Sequence, residues 1–169
     1  MLAAIGPAAG VAAGGRPFTS LRNHYTITLA PGWTVRPATQ NASSPFPDPD
    51  GPESDEFNDP GNPLFPTIGI SAQNLRAGTT PQQWARRVTE TLHTTYGCSR
   101  HTQTSPRLAG EAAKVFAYTR CPQYLIVIAT VHDGRGYVLF WAGPGTETRT
   151  RTQAAAAFDR FLRTFRFIN

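Results

Sequence analysis

Residues 124–142 read YLIVIATVHDGRGYVLFWA, two apolar runs on either side of Asp133-Gly134. Asp-Gly suits a two-residue hairpin turn, whose central residues both need positive φ. Tyr124–Val131 is almost continuously apolar, as expected of a central strand covered on both faces. Gly136–Ala142 then returns beside it as the last strand of a meander.

Working back toward the N-terminus, Ala113–Arg120 reads as a strand, Ala109-Gly110 as a turn, and Thr102–Leu108 as a first, weaker strand. This hairpin gives the two cysteines a geometric reason to pair. Cys98 lies eleven residues before Ala109 and Cys121 eleven residues after Gly110, so an unbroken register sets them opposite each other. Their Cα atoms would then be about 5.5 Å apart, a span a disulfide bridges. A bulge near Pro106 would break the register, which leaves two free buried thiols as the alternative. A bridge here closes a loop of more than twenty residues. It would contribute about 3 kcal/mol and would place the chain outside the reducing cytosol.

Upstream of the meander, Thr80-Pro81 marks a helix start, with threonine as cap and proline in the first turn. At 100° per residue, Trp84, Ala85, Val88, Leu92 and Tyr96 share one arc, Arg86, Glu90 and His93 lie opposite, and Gly97 ends the helix. His24–Leu29 and Thr67–Ala72 alternate apolar and polar residues as half-buried strands do, and Val35 extends the first briefly before Pro37. Downstream, Gly143–Glu147 opens a second helix with Thr146 as its cap. Phe158, Phe161, Leu162 and Phe165 form its core stripe, and Arg149, Arg160 and Arg163 its outer face. Phe165–Ile168 is expected to leave the helix and tuck aromatics under the sheet.

Two stretches stand apart from this pattern. Residues 38–66 carry seven of the fifteen prolines and the acidic residues Asp48, Asp50, Glu53, Asp55, Glu56 and Asp59, six of the eleven in the chain. This reads as a long mobile loop and as the first candidate binding loop, because such segments bury too little apolar area to repay their ordering entropy. Residues 1–21 read as a flexible Ala/Gly-rich tail, with 22–169 as a single domain. The first fifteen are either the remnant of a signal or anchor segment or a plain linker.

The length of 169 residues suits one domain, and 40% hydrophobic content suits a packed core. With six acids gathered in one segment, the net charge of +5 leaves the rest of the chain strongly basic through arginine. No run reaches the roughly 20 apolar residues of a membrane-spanning helix. Arg149, Arg160 and Arg163 share their face with no aromatic, so nucleic acid is not an expected partner.

Chemistry-bearing patterns are few. His93, Cys98, His101 and Cys121 are zinc-type residues, but the disulfide would claim both sulfurs. The acidic stretch departs from the EF-hand frame, with Gly51 at position 4 and Pro49 and Pro52 interrupting it. A looser calcium site is the alternative to a solvated loop. No nucleophile elbow, metalloprotease helix or phosphate loop is present, and His132-Asp133, adjacent on a strand end, point to opposite faces. No metal, cofactor or catalytic residue is therefore assigned. Trp84, Phe140 and Trp141 are the candidate lining of a small apolar pocket between sheet and helix, against the plainer reading as core.

The order of these features resembles the PsbP-like family, the Mog/PsbP/DcrB group with its LpqN-type lipoproteins. The residues that carry it are Pro31-Gly32-Trp33, Ile68-x-Ile70, Thr80-Pro81-x-x-Trp84, Leu108-Ala-Gly110 and Phe158-x-x-Phe161-Leu162-x-x-Phe165-x-Phe167. It covers roughly residues 22–168. The resemblance implies an α+β fold, an antiparallel sheet of about five to seven strands flanked by two main helices in an α/β/α sandwich. It also implies a non-enzymatic binding or assembly role, with no catalytic residues to carry over. Together with the cysteines it suggests an extracytoplasmic module of the bacterial cell envelope, secreted or anchored, with a protein or envelope partner. The alternatives are a carrier or sensor of a small apolar ligand or lipid and an unrecognised hydrolase. The long acidic insertion and the lack of a lipobox cysteine depart from the family pattern.

Overall fold

A computed structural model describes residues 15–48, 51–61, 67–121, 124–143 and 148–168. Its elements in chain order are β1 (Arg16–Ser20), β2 (Tyr25–Leu29), β3 (Thr34–Arg36), β4 (Asp55–Asn58), β5 (Thr67–Asn74) and α1 (Pro81–Tyr96). There follow β6 (Ser99–Thr104), β7 (Arg107–Leu108), β8 (Glu111–Arg120), β9 (Tyr124–His132), β10 (Arg135–Gly143), α2 (Thr148–Leu162) and β11 (Arg166–Phe167). An eight-stranded antiparallel sheet runs β3-β4-β5-β10-β9-β8-β6, with β7 paired to β8, and a second sheet of three strands runs β1-β2-β11.

The meander forms as the sequence predicts. Asp133 and Gly134 both take positive φ, and β9 and β10 pair in register from His132 with Arg135 to Tyr124 with Gly143. Alternation sends Ile126, Ile128, Tyr137, Leu139 and Trp141 into one core and Leu125, Val127, Val138 and Phe140 into the other. This is why both runs are apolar at nearly every position. Each face then needs its own cover. Phe158, Phe161 and Leu162 of α2, with Tyr25, Ile27 and Leu29 of the small sheet, close the first core, while Trp84, Ala85, Val88 and Leu92 of α1 close the second. The start of α1 is fixed by a reciprocal cap, in which Thr80 Oγ1 accepts from Gln83 N–H and Gln83 Oε1 accepts from Thr80 N–H.

The second hairpin also holds its register. Arg107 faces Ala112, Gln103 faces Phe116 and Ser99 faces Arg120, so Pro106 interrupts the strand without shifting it. Cys98 and Cys121 are bonded, with Cα atoms 4.4 Å apart rather than the 5.5 Å expected. Replacing both by serine should lower stability by about 3 kcal/mol, read from urea unfolding, because the cross-link mainly restricts the unfolded chain. The turn holds Ala109 at φ 49° and Gly110 at φ 94°. An L-residue other than Asn or Gly is strained there, so Ala109→Asn should raise the urea midpoint by the equivalent of roughly 0.5–1 kcal/mol.

Three expectations are corrected. The main sheet has eight strands and a second sheet exists, against five to seven strands in one. Arg16–Ser20, read as the end of the tail, forms β1 and pairs with β2 from Arg16 opposite Leu29 to Ser20 opposite Tyr25. The stretch 38–66 is not simply a long loop. It supplies β4, clasped between β3 and β5, and Phe46, which is buried against Phe140 and Tyr96 in the α1-side core. The Thr146 cap lies outside the described residues.

Candidate functional site

The two cores are unevenly filled. On helix α2, Ala155 and Ala157 stand at the flanks of the stripe of phenylalanines, and their short side chains reach less far toward the sheet than those rings do. A cleft opens on each flank. On one side Ala155 lines an apolar cavity of about 170 Å³ with Leu108, Val115, Ile126, Ile128 and Phe158. On the other, Ala157 lines a more polar cleft of about 370 Å³ with Trp33, Trp141, Phe161, Asp59 and Arg160. Trp33 is stacked on Phe161 at 5.4 Å between ring centroids, and the buried Trp141 Nε1 has no hydrogen-bond partner among the described residues. A third feature, a groove of about 430 Å³, runs between α1 and the β6–β8 edge and is lined mainly by polar side chains, among them Arg86, His101 and Lys114.

The three aromatics proposed to share a pocket do not meet in one. Phe140 and Trp141 are neighbours on β10 and so face opposite cores. Trp84 lies flat on the backbone of Gly136, where a Cβ would come within 2.6 Å of the indole, and its Nε1 donates to Tyr137 O at 2.9 Å. Trp84 and Phe140 are core, and only Trp141 borders a cleft. The cavity under α2 is lined instead by aliphatic residues of β7–β9. The alanine run in α2 was the readable sign of it.

The acidic residues are likewise dispersed. Asp55 is buried at 1% exposure, and its carboxylate accepts from Tyr25 OH, Asn23 Nδ2 and Ala38 N–H, each at 2.8 Å. Asn23 is buried too, and its Oδ1 accepts from Ala72 N–H, so this network ties β2, β4 and β5 together. Glu56 pairs with Arg36 across the β3–β4 ladder. Asp59 Oδ1 accepts from Gly61 N–H at 3.1 Å. Asp48 and Glu53 act on Tyr96, whose pKa is raised by burial first and by these two carboxylates next. Asp50 lies outside the described residues.

His132 takes Glu111 rather than Asp133 as its acid, with Nδ1 2.9 Å from Oε1 and its ring stacked on Phe167 at 4.2 Å. His93 Nδ1 lies 3.3 Å from Cys98 O, and both sulfurs of the zinc-type set are in the disulfide.

Buried tyrosines give the fold a predictable alkaline limit. Burial, then the charge and hydrogen bond of Asp55, hold the Tyr25 pKa well above its ordinary value, and burial pushes Tyr118 up to about 12. The native state therefore keeps these protons above pH 10, where the unfolded chain releases them. Stability should be unaffected by tyrosine titration below about pH 10 and should fall as pH rises beyond it, by about 1.4 kcal/mol per pH unit for each retained proton. Urea midpoints measured from pH 8 to 12 check this, and Tyr25→Phe should flatten the decline.

No family model matches the chain, and no curated protein matches it in sequence. Solved structures do. Cyanobacterial PsbP (CyanoP) from Synechocystis superposes with a TM-score of 0.61 at 12% identity, over 96% of this chain and 99% of that one. The Ran-binding protein Mog1p of Saccharomyces cerevisiae gives 0.61 at 9%, covering 92% and 96%. The chain has the PsbP-like fold. LpqN, involved in cell envelope biogenesis of Mycobacterium tuberculosis, shares that PsbP-like fold at a TM-score of 0.51 and 15% identity, over 94% and 87%.

Proposed function

We propose that this PsbP-like chain is a non-enzymatic binding or assembly module of the bacterial cell envelope, working outside the cytosol on a protein or envelope partner. The observation that carries the reading is the Cys98–Cys121 bond, which holds one hairpin of the fold and is of a kind common in oxidising compartments and rare in the cytosol. Support comes from LpqN, a protein of the same fold involved in envelope biogenesis, and from Mog1p, a same-fold protein that binds another protein, Ran. Among the described residues no helix is long and apolar enough to cross a membrane. The test is alkylation of whole cells under native expression, followed by mass spectrometry of the peptides holding Cys98 and Cys121. Unmodified, bonded cysteines are expected. Complete alkylation of both without reductant would sink the location.

A second reading, a carrier of a small apolar ligand, is favoured by the cavity beneath α2. Its volume of about 170 Å³ resembles the roughly 150 Å³ of an apolar cavity that stays dry and takes benzene. Benzene titrated into the protein should shift the methyl resonances of Leu108, Ile126 and Ile128, and Ala155→Leu should abolish the shifts. Unmoved methyls in the parent protein would remove this reading.

A further inference from the structure

The main sheet ends in two dissimilar edges. At one, β3 spans only Thr34–Arg36 and is followed by Pro37, a short edge of the kind that resists further pairing. At the other, β6 spans Ser99–Thr104 without proline, and no described strand pairs with its outer side. Its described side chains are exposed.

Hydrogen-bond parity shows which backbone groups this edge offers. Ala113 N–H donates to Pro106 O across the hairpin at 3.0 Å, which makes that facing pair a bonded one. Bonded pairs alternate along an antiparallel ladder, so Thr104 with Val115 and Thr102 with Ala117 are bonded as well. The N–H and C=O of His101 and Gln103 therefore point away from β8, toward solvent.

The side chains of the same two residues line the groove against α1, together with Thr80, Gln83, Arg86 and Lys114. His101 stands edge-on to Phe116 at 5.2 Å, and Lys114 Nζ donates to Ser105 Oγ at 2.7 Å. Positive charge dominates this corner. Among the described residues, the lining of the groove holds Arg86 and Lys114 and no acid, and Arg120, opposite Ser99, is exposed at the end of β8. On the helix side Glu90 lies 3.6 Å from Arg86, one turn along α1.

A free edge with a side-chain groove behind it is what strand addition uses: main-chain bonds give affinity, and alternate side chains entering the groove give specificity. We propose that the outer edge of β6, with the groove between it and α1, docks an extended acidic segment of a protein partner as an added strand. The proposal rests on the binding-module reading above and names where the partner lies and what its chemistry is. A second copy of this chain is the poorer occupant, because edge-to-edge pairing would juxtapose two basic corners.

The test uses the full chain and two octapeptides, one alternating Glu and Thr and one alternating Lys and Thr, titrated while backbone amide resonances are followed. The Glu peptide should shift the amides of β6 saturably, those of His101 and Gln103 foremost, and raised salt should weaken binding. The Lys peptide should give no saturable shift. Gln103→Pro removes an outward N–H without touching a ladder bond to β8, and it should weaken binding at least tenfold. If that variant fails to fold, Lys114→Glu decides: it should weaken the Glu peptide at least tenfold and admit the Lys peptide. Equal binding of both peptides, or shifts confined to other surfaces, would overturn the β6 site while leaving the binding-module reading standing. Absence of any shift would also overturn it. Reduced cysteines in native cells would instead strike the envelope reading and leave a β6 response intact.

Discussion

Gly69→Ala should lower the free energy of unfolding by about 3–5 kcal/mol, the loss typical of removing a buried phenylalanine. Gly69 on β5 faces Phe140 on β10, and the ring lies over the glycine so closely that an added Cβ would sit 1.8 Å from Cζ and within 2.6 Å of two further ring carbons. No small adjustment relieves such overlap. The ring must leave its place, and with it go the contacts to Phe46 and the rest of the α1-side core. The double variant Gly69→Ala/Phe140→Leu should recover part of the loss, since a smaller side chain leaves room for the new methyl group. Urea unfolding of the three variants measures the coupling. A cost under about 1 kcal/mol for Gly69→Ala would show that the ring moves freely.

Asp55→Ala should cost a similar amount, about 3–5 kcal/mol, for a different reason. Removing one member of a buried, mutually satisfied polar set strands the others. Here Tyr25 OH and Ala38 N–H would lose their acceptor, and Asn23 Nδ2 the nearer of its two, keeping only Ile70 O at 3.5 Å. Tyr25→Phe removes only one donor and should cost about 1–2 kcal/mol. If the two substitutions cost the same, a single bond rather than the network holds β4 in place. The comparison also bears on binding, because the candidate binding loop contains Asp55 in sequence but not as an exposed ligand.

The difference between what could and could not be read from the chain follows from the distance over which each element finds its support. The β9–β10 hairpin announces itself locally, in two apolar runs and the Asp133-Gly134 turn. The disulfide follows from counting outward along a hairpin that keeps its register past Pro106. In contrast, Asp55–Asn58 has one apolar residue, Phe57, and it becomes a strand because β3 and β5 clasp it and because residues 30 positions earlier satisfy its buried acid. Phe46, set among prolines and serines, carries no periodicity to mark it as core. Period-2 alternation was enough to separate Phe140 from Trp141. The groove and free edge depended on strand order, which one sequence does not reveal.

The three-stranded sheet has a mechanical consequence. Strand β1 enters beside Leu29, at the C-terminal end of β2, and β11 leaves beside Tyr25, at its N-terminal end. Tension applied to the flanking chain is thus directed along the strands. Interstrand hydrogen bonds lie across that line of force. They are loaded side by side in shear, instead of being unzipped one after another, and the Ile168 N–H to His24 O bond lengthens the loaded seam. Tethered at one end and pulled at the other, the domain would resist through this small sheet before load reached the disulfide-bearing hairpin.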